Sequence, residues 1–267
     1  MLDQPLVIAG IVLAVILPLG WLVWQKCKTD FTWPQFALWV GAIFFTRFIW
    51  RVTYTTPLPE EAKSGAIIVC NHTSGIDPFF LQVLCKWPMH WMVAKEYCEH
   101  RLFGPFLRTC EVISVNRRGI DTAATKTAIR YAEQGGLIGI FPEGRINMTE
   151  DLMLPVRAGA VLVALRARAP LLPCYIEGSP FRGTPLSPFF MRAKVRVSFG
   201  ELIEVSTYED VEQNDEVVRE IMTRVILDIA RLAGQEDFEP QFAGRKWRPS
   251  DEEVRAHTEA KRLRDQS

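Results

Sequence analysis

Ala66-Ile67-Ile68-Val69-Cys70-Asn71-His72-Thr73-Ser74-Gly75-Ile76-Asp77-Pro78 is an apolar run that gives way to a short polar loop. The apolar part reads as a buried strand. Phe79-Phe80-Leu81-Gln82-Val83-Leu84, which follows, reads as a helix. Asp77-Pro78 has the form of a helix start, with Asp at the N-cap and Pro at the first helical position, where its missing N–H costs nothing. His72 and Asp77 therefore bracket one strand-to-helix loop. Such a loop can fold the carboxylate back onto the imidazole, fix its tautomer and leave the other ring nitrogen free as a base. No Ser or Cys nucleophile is needed if the substrate brings its own hydroxyl. The plainer alternative is a capping Asp beside a loop His.

Outward from this stretch, short apolar runs alternate with helical patterns. Strands are expected at 66–71, 90–94, 111–115, 137–141, 171–176 and 194–199, and helices at 78–86, 121–134, 157–167 and 211–233. That alternation predicts an α/β fold, a largely parallel or mixed sheet flanked by helices. The polar, Pro-containing stretch 55–61 marks a boundary, so the α/β domain is expected over 55–233, with a polar tail from 234 to 267. The apolar segment 102–107 is expected to line a groove or dip into lipid.

Residues 5–24 carry no charge, which is about the ~20 residues needed to cross a bilayer. The front has Asp3, no Lys or Arg, and no small-x-small cleavage site, so a retained membrane helix is expected in place of a signal peptide. Lys26 and Lys28 then put its C-terminal end in the cytoplasm. A second apolar stretch, 33–50, is short, rich in Trp and Phe, and carries Arg47. It suits an interfacial or re-entrant helix better than the hydrocarbon centre; a second spanning helix and a helix packed on the globular domain are the alternatives. The chain is thus expected to begin with a two-helix membrane anchor over 1–54.

Lys plus Arg and Asp plus Glu both number 31, a balance that gives no electrostatic case for a nucleic-acid partner. The six cysteines form no C-x-x-C pair, which suits reduced thiols and no zinc site.

Two further strands end in polar groups. Residues 111–115 run into Asn116, Arg117 and Arg118, and 137–141 run into Pro142, Glu143, Gly144 and Arg145. Ligands of parallel sheets bind beyond the carboxyl ends of strands. A base and two guanidinium groups at that rim suit a substrate carrying a hydroxyl and a phosphate, because the guanidinium fork donates two hydrogen bonds at once.

Taken in order and spacing, Asn71-His72-x4-Asp77, Ile113-x3-Arg117, Phe141-Pro142-Glu143-Gly144-Arg145 and Leu171-Leu172-Pro173 resemble the four blocks of the glycerolipid acyltransferase superfamily, above all its 1-acyl-glycerol-3-phosphate acyltransferases. Pro155-Val156-Arg157-Ala158-Gly159 is similar to a basic segment those enzymes carry between the third and fourth blocks. The resemblance implies that His72 is the general base and Asp77 orients it. It places Arg117, Glu143, Gly144 and Arg145 in the acceptor-binding blocks and has Pro173 shape the site. It implies no metal and no bound cofactor, a lipid acceptor in the membrane, and acyl-CoA or acyl carrier protein as co-substrate. It further implies a cell (inner) membrane location with the site facing the cytoplasm. Two positions depart from the common pattern: Arg145 follows Gly144 directly, and Asn116 stands where an Asp is usual. Both lie where the acceptor head group would be read. Transfer to another acceptor, thioester hydrolysis, and lipid binding without catalysis are the rival functions; no Gly-x-Ser-x-Gly elbow supports hydrolysis.

Overall fold

Ala66–Cys70 forms the central strand β2, and all five of its residues are buried. Its side chains divide by parity. Ile67 and Val69 enter one core; Ala66, Ile68 and Cys70 enter the other. A strand covered on both faces needs the unbroken apolar run that the sequence shows. The computed structural model describes residues 4–116, 121–208 and 214–244.

The other strands are β1 (Thr53–Tyr54), β3 (His90–Ala94), β4 (Ile113–Val115), β5 (Leu137–Ile140), β6 (Leu171–Glu177) and β7 (Arg196–Phe199). They form one seven-stranded sheet in the order β1-β7-β6-β2-β5-β3-β4. Every pair is parallel except β6 with β7. The mixed α/β sheet expected from the sequence is present. It begins at Thr53, just ahead of the expected boundary at 55.

One face is covered by α6 (Thr122–Glu133), α7 (Gly159–Ala167) and α8 (Asp215–Leu232). Ala124, Ala128 and Ala132 recur at four-residue spacing and are buried, which lets α6 approach closely. Asp121 caps α6 by accepting from Ala124 N at 3.0 Å, and Asn214 caps α8. The opposite face holds Trp50, Phe80, Leu81 and Met89, with α3 (Asp77–Gln82) among them. Helix α3 stops at Gln82, short of the expected 86, because the Gln82 amide turns to the 87–89 loop: it donates to Trp87 O and accepts from Met89 N, each at 2.9 Å.

Helices α4 (Lys95–Cys98) and α5 (Phe103–Thr109) are too short to show a period in sequence. Glu111 takes φ 54° and interrupts the strand expected over 111–115, which begins only at Ile113.

The N-terminal segment forms α1 (Gln4–Lys26) and α2 (Trp33–Phe44), and α2 runs on into a π-helical turn, Phe45–Ile49. Among the described residues no helix is long and apolar enough to cross a membrane. The expected two-helix anchor is thus not shown among the described residues, and α2, with 12 residues against the ~20 a crossing requires, is not the second spanning helix named as an alternative. Helix α2 is instead fastened to the α/β domain. The Gln35 amide donates to Thr109 O at 2.9 Å and to Glu111 Oε1 at 2.8 Å, and the indole of Trp50 donates to Pro188 O at 3.0 Å.

Candidate active site

The strand order β6-β2-β5 sets the site, because it places the loops after these three parallel strands side by side. Asn71, at the end of β2, ties that loop to β6. Its amide donates to Ile176 O at 2.9 Å and its side-chain oxygen accepts from Ile176 N at 2.8 Å. His72 follows with its ring 15% exposed, while Asp77 is fully buried.

The loop folds back as the sequence suggests, but Asp77 does not cap α3. It is the first residue of the helix, and Ile76 occupies the N-cap. Its carboxylate points upstream. Oδ2 lies 2.9 Å from His72 Nδ1 and accepts from Thr73 N and Ser74 N at 2.9 Å each. Oδ1 accepts from the Ser179 hydroxyl. Every group facing the carboxylate donates, so Nδ1 of His72 carries the proton and Nε2 keeps its lone pair. The peptide N–H groups of Thr73 and Ser74 are thereby engaged, which removes them as donors to a reaction oxyanion.

Aromatic packing holds the imidazole in plane. It stacks on Phe141 at 3.9 Å and 12°, and Phe141 stacks on Trp91 at 4.7 Å and 20°. Gly139 makes this possible: a Cβ there would meet the Trp91 indole at 2.3 Å. A single glycine inside β5 thus supports the ring stack under the base.

Glu143 is 3% exposed and joins two loops. Oε1 accepts from His72 N at 2.8 Å and Oε2 accepts from Leu154 N at 2.9 Å. Asn147 N donates to His72 O at 2.6 Å. The His72 peptide is therefore pinned at both its N–H and its carbonyl. Burial pushes the Glu143 carboxyl up to about 8, against the pull of the two N–H groups and of Arg145. A folded-state value above the ordinary 4.5 means that the folded chain holds a proton the unfolded chain has already released. Stability conferred by the protonated form is complete below 4.5 and is lost as pH rises toward 8. Glu143→Gln cannot titrate. Its amide offers one acceptor to the two N–H groups, a cost that does not vary with pH, so the difference between its thermal midpoint and that of the wild type should move in its favour as pH rises through that window. A wild-type midpoint that does not fall relative to Glu143→Gln across the window would refute this.

Of the residues named from the sequence, the structure brings together His72, Asp77, Glu143, Gly144 and Arg145. His72, Glu143, Gly144 and Arg145 line one cavity of about 1730 Å³. Gly144 takes φ 70°, a backbone that favours glycine. Arg157, from the basic segment, reaches the same cavity, and its N–H donates to Pro142 O at 3.0 Å. Arg117 lies outside the described residues; Asn116 before it lines the cavity. Pro173 sits within β6, buried and in register with Val69, and does not line the cavity. The remaining wall is largely apolar: Leu38 and Ala42 of α2, Phe79 of α3, and Phe103, Phe106 and Leu107 of α5. The expectation that 102–107 lines a groove is met. The volume exceeds the ~300–1,000 Å³ of ordinary ligand pockets and suits long apolar chains.

Sequence reading missed Ser179 and Asn147. No local pattern marks either one; Ser179 is 102 residues from its partner and arrives only because β6 lies beside β2.

A partly exposed His held by a buried Asp, at the strand ends of a mixed α/β sheet and beside a large apolar cavity, is an arrangement able to offer a base to a lipid-sized substrate. An acyltransferase family model matches residues 50–177. The chain is 33% identical over 141 residues to the 1-acyl-sn-glycerol-3-phosphate acyltransferase of Bacillus subtilis, covering 52% of this chain and 67% of that protein. It is 26% identical over 181 residues to the enzyme of the same name from Streptococcus pneumoniae, covering 67% of this chain and 64% of the relative. The crystal structure of the 1-acyl-sn-glycerophosphate (LPA) acyltransferase PlsC from Thermotoga maritima shares the fold, with a TM-score of 0.54 at 18% identity over 84% of this chain and 91% of that one. The chain belongs to the acyltransferase family. Within it, this is a 1-acylglycerol-3-phosphate acyltransferase-like enzyme.

Proposed function

We propose that the protein transfers a fatty acyl group from an acyl thioester to the free hydroxyl of 1-acyl-glycerol 3-phosphate, at a membrane surface. The observation that carries this is the His72–Asp77 pair, at 2.9 Å, whose imidazole lines a cavity that Arg145 and Arg157 also line. In this reading His72 Nε2 takes the proton of the acceptor hydroxyl as its oxygen attacks the thioester carbonyl. Asp77 stabilises the imidazolium. The tetrahedral intermediate collapses, the C–S bond breaks, and the imidazolium returns the proton to the leaving thiolate. The products are the diacyl phosphate ester and the free thiol of coenzyme A or of an acyl carrier protein. The apolar wall takes the acyl chains, and the guanidinium groups take the phosphate.

The membrane part rests on exposed apolar side chains at the N-terminal helices. Trp21, Trp24, Phe44 and Phe48 are each more than half exposed. Tryptophan and phenylalanine in such positions suit a lipid interface. The site would then face the cytoplasmic leaflet, where thioester donors are found.

The reading is tested by acyl-transfer assays on membrane and soluble fractions, with a panel of lyso-acceptors and both donor types. Transfer recovered with the membranes and selective for lysophosphatidate is the expected result; selectivity for another acceptor replaces the substrate, and hydrolysis without transfer replaces the reaction. Arg145→Lys keeps the charge but loses the two-pronged contact. It should raise the apparent KM for lysophosphatidate several-fold more than the KM for the donor. Equal rises for both substrates would place Arg145 against the donor instead.

A further inference from the structure

Residues 192–196 carry a row of cations that acyl transfer does not use. Arg192, Lys194 and Arg196 are exposed, while Ala193 is half-buried and Val195 is buried. That alternation sets the three cations on one face of extended chain. The segment is laddered to the chain leaving the π-helical turn: Ala193 N donates to Ile49 O at 3.2 Å and Val195 N to Trp50 O at 3.1 Å. Arg51 is brought to the same place. With Lys194, Arg196, Thr53, Gly178 and Glu177 it lines an open depression of about 440 Å³. Glu177 is the one acid lining it, and it is already paired with Arg196 at 2.6 Å.

Exposed rings flank this row. Phe190 is 89% exposed and Phe48 is 62% exposed. Their two segments lie side by side, because Phe189 packs on Phe45 at 5.2 Å and on Trp50 at 5.7 Å. Cations flanked by exposed aromatic rings complement the headgroup layer of an anionic bilayer. The location also matters. Arg196 is in register with Glu177 at the carboxyl end of β6, and Ser179, which holds Asp77, follows two residues later. The row therefore lies on the same rim as His72.

We infer that Arg51, Arg192, Lys194 and Arg196 form a dock for anionic phospholipid headgroups, with Phe48 and Phe190 entering the interface beside them. The dock turns the His72 rim toward the anionic leaflet from which a lipid substrate enters. It rests on the membrane-surface reading above and adds a headgroup preference and a second contact segment to it.

The test is hydrogen exchange of residues 186–198 in the full chain, held in nanodiscs of phosphatidylcholine alone or mixed with phosphatidylglycerol. Exchange should be at least about fivefold slower in the anionic discs, the partition factor expected per cation at such a surface. High salt should remove the difference. Arg51→Glu/Lys194→Glu should abolish it, and the milder Arg192→Gln/Lys194→Gln should reduce it if the first variant fails to fold. Turnover in neutral discs should be the same for these variants and the wild type. Absent turnover in all of them would fault the acyl-transfer reading, whereas the exchange data judge the dock alone. Equal exchange in the two kinds of disc would overturn the dock. So would slowing by coenzyme A or inorganic phosphate without discs, which would give the depression to a soluble ligand.

Discussion

Replacing His72 with Ala should lower turnover by at least about a hundredfold, the usual range for loss of a general base. The imidazole lines the cavity and has one ring nitrogen held by a buried carboxylate. Its Nδ1 faces Asp77 at 2.9 Å, so Nε2 is the nitrogen left to face a substrate. The loop should survive the change. Its hold on the fold runs through the His72 peptide, which donates to Glu143 and accepts from Asn147, and neither bond involves the ring. Removing the ring does leave a gap above Phe141, but His72 is partly exposed, so solvent can fill it. The thermal midpoint should therefore move little while turnover collapses. Substrate KM values should stay within a few-fold, since the ring contributes to proton transfer more than to ground-state binding. Near-normal transfer by a folded His72→Ala protein would remove the mechanism.

Much of the sheet was legible because buried strands betray themselves. Residues 66–70, 137–140 and 171–176 are continuous apolar runs, and all three lie at the centre of the sheet. One edge, β1, was not legible. Thr53–Tyr54 is two residues long and pairs only with β7, which gives no pattern to read. The His–Asp contact was legible from spacing within one loop, but the reason for it was not. Asp77 resembles a capping residue in sequence, yet its carboxylate turns upstream to Thr73, Ser74 and Ser179. Asp-Pro alone cannot distinguish these, since both arrangements place an acid at the first turn. Glu143 was legible as a member of a motif, but its pairing was not. It holds the His72 peptide, a contact between loops that only the order β2-β5 brings together, and the Leu154 peptide further along its own loop. The need for glycine at 139 is likewise visible only once Trp91 lies on it.

Asp77→Asn tests whether the carboxylate acts through charge or only through geometry. Asparagine fits the space. Its carbonyl oxygen can take the place of Oδ2 and keep the contacts from His72 Nδ1, Thr73 N and Ser74 N. Its NH2 then faces Ser179, whose hydroxyl can turn from donor to acceptor. The tautomer and the fold are thus preserved, and what is lost is the negative charge opposite the imidazolium. Turnover should fall by much less than the about ten-thousandfold loss that follows when an asparagine in such a pair moves the imidazole proton to the other nitrogen, because here the tautomer is kept and only the charge is lost. Asp77→Ala is a poorer test, because it strands four donors around a buried site and should destabilise the fold outright. Ser179→Ala separates the remaining possibility. It removes one donor but leaves the charge, so it should cost much less turnover than Asp77→Asn. The decisive comparison is the double variant. If Asp77 works only through His72, His72→Ala/Asp77→Asn should be no slower than His72→Ala alone. Additive losses would mean that Asp77 supports turnover by some route other than the imidazole, and a folded, fully active Asp77→Asn would show that the buried charge plays no part in the chemistry.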